Sequence, residues 1–125
     1  MLGDSAIMPT IPVSDMKRAK DFYEQKLGLE PSDKDGDGTT YQCGDGTALM
    51  IYESAGAGTS QATYASWEVD DLEAEMTALQ ANGVVFEDYD MPGLKTEDGV
   101  AAMGDYRAAW FKDSEGNILA LSQMS

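Results

Sequence analysis

Tyr64, Ser66 and Glu68 alternate along an apolar stretch. A strand there would project a phenol, a hydroxyl and a carboxylate from one face. Such a row is hard to bury without a partner. In an apolar cleft an unpaired carboxyl is pushed toward its neutral form, which suits a general acid or base, or a counter-ion for a cationic ligand. At a strand end the same Glu68 simply reaches water, and Arg107 or Lys112 can neutralise it. The chain contains no histidine, which removes Ser-His-Asp and Cys-His nucleophile systems and metal sites built on imidazole. Cys43 is the only cysteine, so neither an internal disulfide nor a thiolate cluster can form, and with no base nearby in sequence it reads as an inert thiol. D-K-D-G-D-G from Asp33 to Gly38 alternates acids as a calcium loop does. The loop's twelfth position, counted from Asp33, is however Gly44 in place of an acidic ligand, so a hairpin turn is favoured.

The chain has 125 residues, 42% hydrophobic and 25% charged, which is ordinary globular usage for one domain over residues 1–125. Its net charge of −15 is not ordinary. Phosphate backbones and anionic lipid are repelled by such a surface, so no nucleic acid and no membrane partner is expected. With no apolar run long enough to span a bilayer and no signal peptide before Pro9, the reading is a soluble cytoplasmic protein.

A small, flexible tract from Ser54 to Ser60 divides the chain into module 1 (about 6–53) and module 2 (about 61–124). In module 1 an apolar run, Ile7 to Val13, meets Ser14-Asp15. Met16, Ala19, Phe22, Tyr23 and Leu27 then follow at helical spacing up to Gly28. In module 2, Thr63 to Val69 meets Asp70-Asp71, and Leu72, Met76 and Leu79 lead to Asn82-Gly83; Asp70 with Glu73 reads as a capping box. Three strand candidates follow each helix: 29–33, 39–43 and 48–53, then 84–89, 105–112 and 118–123. D-S-E-G-N, 113–117, is a tight turn, and 91–104 reads as a loop over an opening, a lid or a dimer contact. The fold class is therefore α+β. Two tandem βαβββ modules are expected to pack with pseudo-twofold symmetry as a curved mixed sheet around a cleft.

P-V-S-D-M-x-R-A-x-D-F-Y-x-x-x-L-G-L, Pro12 to Leu29, resembles the first module of the vicinal oxygen chelate superfamily, which includes glyoxalases, extradiol dioxygenases and bleomycin resistance proteins. V-D-D-L (69–72), A-N-G-V (81–84) and the closing W-F-K-D-S-E-G-N-I-L-A-L (110–121) are similar to its second module, with Ser114 where proline is usual. The resemblance covers nearly the whole chain and implies a homodimer. It also implies four metal-ligand positions, which fall on Met8, near Ile51, on Tyr64 and on Ala120. None of these is a carboxylate or imidazole, so no metal and no cofactor is expected. A displaced site using Glu53 and Glu68 is the exception to weigh.

Strand alternation, anchored on those positions, puts Met8, Thr10, Pro12, Leu49, Ile51, Glu53, Tyr64, Ser66, Glu68, Ile118, Ala120 and Ser122 in the cleft. Tyr41 and Trp110 complete the lining, although the phase of 105–112 is open between Tyr106, Ala108 and Trp110 on one side and Arg107, Ala109 and Phe111 on the other. For Leu49, Ile51 and Ala120 plain core filling competes with ligand contact. Two functions are weighed. One is a metal-independent protein that binds or sequesters an aromatic or cationic small molecule in an apolar cleft. The other is a glyoxalase-like lyase or isomerase using Glu68 or Tyr64 for proton transfer, with or without a displaced metal. A ligand-free structural dimer is the blander third.

Overall fold

The computed structural model describes residues 1–32 and 38–124. Asp33 to Asp37, which carry most of the calcium-like motif and the end of the 29–33 strand, lie outside the described residues. Module 1 runs β1 (Thr10–Val13), α1 (Met16–Asp21), β2 (Glu30–Pro31), β3 (Gly38–Gln42) and β4 (Ala48–Glu53), in sheet order β1-β4-β3-β2. Module 2 runs β5 (Thr63–Glu68), α2 (Leu72–Ala81), a two-stranded hairpin β6 (Asp90–Met91) and β7 (Leu94–Lys95), then β8 (Ala101–Met103), β9 (Tyr106–Lys112) and β10 (Ile118–Met124). Its sheet order, β5-β10-β9-β8, repeats that of module 1. Each sheet is mixed: the first strand runs parallel to the last, and the others pair antiparallel.

Both helices begin as their sequences dictate. Asp15 accepts from the Arg18 amide and Asp71 from the Ala74 amide, each at 3.1 Å. The cap of α2 is thus Asp71 and not Asp70, and Glu73, the expected partner in a capping box, instead pairs with Arg107. Helix α1 widens into a π-helical turn over Phe22–Lys26, which lets Phe22 and Tyr23 both bury. Gly28 (φ +74°) and Gly83 (φ +96°) follow the helices in the left-handed region.

The expected strand 84–89 is absent. Only Phe86 bridges to Phe111, and the Glu87 amide donates to the Trp110 carbonyl at 2.8 Å. The edge strand beside β9 comes later, at 101–103. The 91–104 segment is likewise no open loop, since it folds into β6, β7 and β8.

Buried residues of both modules form one cluster: Ile11, Val13, Tyr23, Tyr41, Leu49 and Ile51 from the first, with Leu72, Met76, Phe111, Leu119 and Leu121 from the second. The 113–117 turn joins the halves. The Glu115 side chain is 0% exposed. It accepts from the Ser14 and Asp15 amides, the Ser14 and Ser114 hydroxyls and the Arg18 guanidinium, at 2.6–3.1 Å. Tyr23 donates to Asp113 at 2.6 Å, and Asn117 donates to the Pro12 carbonyl at 2.7 Å while accepting from the Gly58 amide at 2.9 Å. Burial and the Asp113 carboxylate push the Tyr23 phenol far above its ordinary range.

Candidate functional site

Strand register decides which side chains share a face. Ser66, Ala120 and Trp110 lie in one cross-strand row, and Glu68, Ser122 and Ala108 in the next. The intervening Trp67, Leu121, Ala109 and Phe111 point to the core, where Trp67 stacks on Phe111 at 6.4 Å. The open phase of β9 therefore resolves with Tyr106, Ala108 and Trp110 on the outer face. Ser66 and Glu68 are exposed there; Ala120, 4% exposed, sits between larger neighbours. Tyr64 does not complete the row. Thr63 pairs with Ile118 and Ala65 with Leu119, which leaves Tyr64 as the extra residue of a β-bulge, partly buried against the core.

In module 1 the expected lining is displaced. Thr10 shares a row with Met50 and Thr40 and is exposed, as is Met8, which precedes β1. Tyr41, Leu49 and Ile51, at 0%, 2% and 0% exposure, belong to the opposite, core-facing side. Tyr41 stacks on Tyr23 at 5.9 Å and donates to Glu24 at 2.8 Å. The reason is plain in A-L-M-I-Y-E: both alternating sets are apolar, so the pattern allows either phase, and the core takes the branched aliphatics. Met50 and Tyr52 hold the outer positions.

The four metal-ligand positions consequently do not converge. Ile51 is buried on the wrong face, Tyr64 sits in the bulge, and the thioether of Met8 and the methyl of Ala120 are no donors for a hard cation. Among the described residues, no group of three or more His, Cys, Asp or Glu stands close enough to hold a metal ion. The donor set does not fit the group that the fold implies.

A pocket of about 680 Å³ does open on the outer side of module 2. Trp110 and Ile118 of the sheet, Tyr89, Met91 and Leu94 of the segment before β8, and residues 58–63 wall it, while Glu87 and Lys112 supply charge. Tyr89 meets Trp110 edge-on at 5.7 Å and 72°, a favourable aromatic geometry. The Tyr89 segment is braced from behind. The Tyr89 amide donates to the Thr96 hydroxyl at 2.8 Å, that hydroxyl donates to Asp88 at 2.7 Å, and Asp88 also accepts from the Gly99 amide at 2.9 Å. Burial, with Glu87 adding, raises the Tyr89 phenol above its ordinary value. An aromatic corner, a polarisable thioether and two charges are groups that suit contact with a small organic molecule.

Of the residues expected in the cleft, Trp110 and Ile118 line this pocket. Tyr89, Met91 and Leu94 were not expected to line it. Their signal was M-P-G-L: proline then glycine between apolar residues is a type II turn pattern, and Gly93 takes φ +82°.

The sequence profile of the Glyoxalase/Bleomycin resistance protein/Dioxygenase superfamily matches residues 6–121. The chain belongs to this superfamily. Among solved structures it is similar to UcmS2, at 21% identity over 94% of this chain and 97% of that one, with a TM-score of 0.72. It is also similar to TnmS3, an antibiotic binding protein from Streptomyces sp. CB03234, at 26% identity, 96% and 97% coverage and TM-score 0.65. A lactoylglutathione lyase from Agrobacterium tumefaciens shares the fold at 20% identity, 95% and 93% coverage and TM-score 0.65. A search of curated proteins returns no match. The scaffold thus carries both a binder and an enzyme, and the site must decide between them.

Proposed function

We propose that this superfamily member is a metal-independent small-molecule binding protein that holds an aromatic or cationic ligand against Trp110 and Tyr89. The pocket built on that aromatic pair carries the reading. The likeness to an antibiotic binding protein at 26% identity agrees with it. Proton transfer by Glu68 or Tyr64 gains no support, because neither residue lines the pocket. A homodimer is part of the proposal: β1 and β5 are edge strands, and the outer sheet faces are open for a second copy to cover. Proflavine, a planar aromatic cation, is the probe. Saturable quenching of tryptophan fluorescence is expected, unchanged by EDTA and weakened at least ten-fold in Trp110→Ala. Equal affinity in wild type and Trp110→Ala would sink the assignment. Sedimentation at micromolar concentration should give twice the 13.4 kDa chain mass.

A further inference from the structure

On the core-facing side of the module 2 sheet, opposite Trp110, the two modules do not close completely. A slot of about 230 Å³ remains between Leu27 and Leu29 of module 1 and Trp67, Leu79, Phe111 and Leu121 of module 2. That volume has room for roughly ten non-hydrogen atoms. Leu27, Leu29, Trp67 and Leu79 each pack against the core yet stay partly exposed around this one concavity. Apolar side chains gathered in a hollow offer a small organic body a contact surface.

Charge selects the occupant. Exposed Glu75 lines the slot, and it also lines an adjoining basin together with Asp45, Asp70 and Asp71. No lysine or arginine lines either hollow among the described residues. An apolar slot continuous with a carboxylate basin complements a molecule with a compact apolar body and one cationic head. An anion of the same shape would be repelled, and a neutral one would gain only from apolar burial.

We propose that this slot is a second binding site, distinct from the Trp110 pocket, that takes organic ammonium ions with an aryl or short alkyl body. The body lies against Trp67 and Phe111, and the ammonium group sits among the carboxylates at the mouth. The site does not depend on the function proposed for the Trp110 pocket.

Isothermal titration with 4-phenylbutylamine, 4-phenylbutanol and 4-phenylbutyrate tests it. The amine should bind at least ten-fold tighter than the alcohol, with the carboxylate weakest, and its advantage should shrink with added salt. Glu75→Gln, on an exposed side chain, should reduce the amine to the affinity of the alcohol, about ten-fold, and leave the alcohol unchanged. Leu79→Trp, which fills the slot, should abolish binding of all three. Trp110→Ala should leave amine binding intact, which separates this site from the other pocket. Equal binding of amine and alcohol, no saturable binding, or loss in Trp110→Ala in place of Glu75→Gln would each overturn the proposal.

Discussion

Glu115 shows how much one carboxylate can organise. Its oxygens satisfy the amide of Asp15, the helix cap, and the amide of the residue before it, and they draw the Arg18 guanidinium over a fully buried side chain. The hydrogen bond from Arg18 leads, with those from Ser114, Ser14 and the Asp15 amide adding, and together they hold Glu115 well below the usual carboxylate range despite its burial. A folded-state value below the unfolded one means that the ionised form contributes stability at neutral pH. That contribution is lost as pH falls from the ordinary value of 4.5 toward the folded one. Glu73, held at about 2 by Arg107, shifts the same way but on an exposed pair that contributes little. Urea denaturation should therefore show Glu115→Gln less stable by about 3 kcal/mol at pH 7. The difference from wild type should narrow below pH 4.5. A constant difference down to pH 2.5 would mean that the carboxylate is not ionised in the fold. No feature of D-S-E-G-N signals that its glutamate reaches across to Ser14, because a contact 101 residues away leaves no local periodicity.

At the level of elements, legibility followed the clarity of each pattern. Helix starts and stops came through because aspartate caps and left-handed glycines act within a few residues. Strand β4 was found at its true bounds, yet its faces were reversed, since alternation says nothing when both faces are apolar. The 84–104 segment was misread for the opposite reason: its short strands are set by a turn and by the Asp88 and Thr96 brace, not by hydrophobic period. The small residues of the linker read as flexible, and the structure adds a constraint. A Cβ on Gly58, at φ +71°, would lie 2.4 Å from the Glu115 carbonyl oxygen, whereas one on Gly56 would meet nothing closer than the Ser54 hydroxyl at 3.6 Å. Thermal melts should show Gly58→Ala destabilised by about 3 kcal/mol and Gly56→Ala within about 0.5 kcal/mol of wild type. Equal melting of the two variants would show that linker and turn do not pack as described.

For the molecule as a whole, the duplicated architecture was readable from its repeats, while the way the halves share a core was not. Repetition states that two units exist, but not which faces they join. Because the buried residues form a single cluster, the modules should not melt separately. Trp67 reports the core and Trp110 the outer pocket. Fluorescence of single-tryptophan variants and far-ultraviolet circular dichroism should trace one coincident transition in urea. Two transitions would divide the chain at its linker. The 113–117 turn carries a further consequence, for synthesis. The amides at the start of α1 find their acceptor only when Glu115 appears, and Pro12 waits 105 residues for Asn117. A ribosome must therefore reach residue 117 before the first helix gains these distant partners, so the first module emerges with an open apolar flank, and its folding is expected to be slow and to wait for the second.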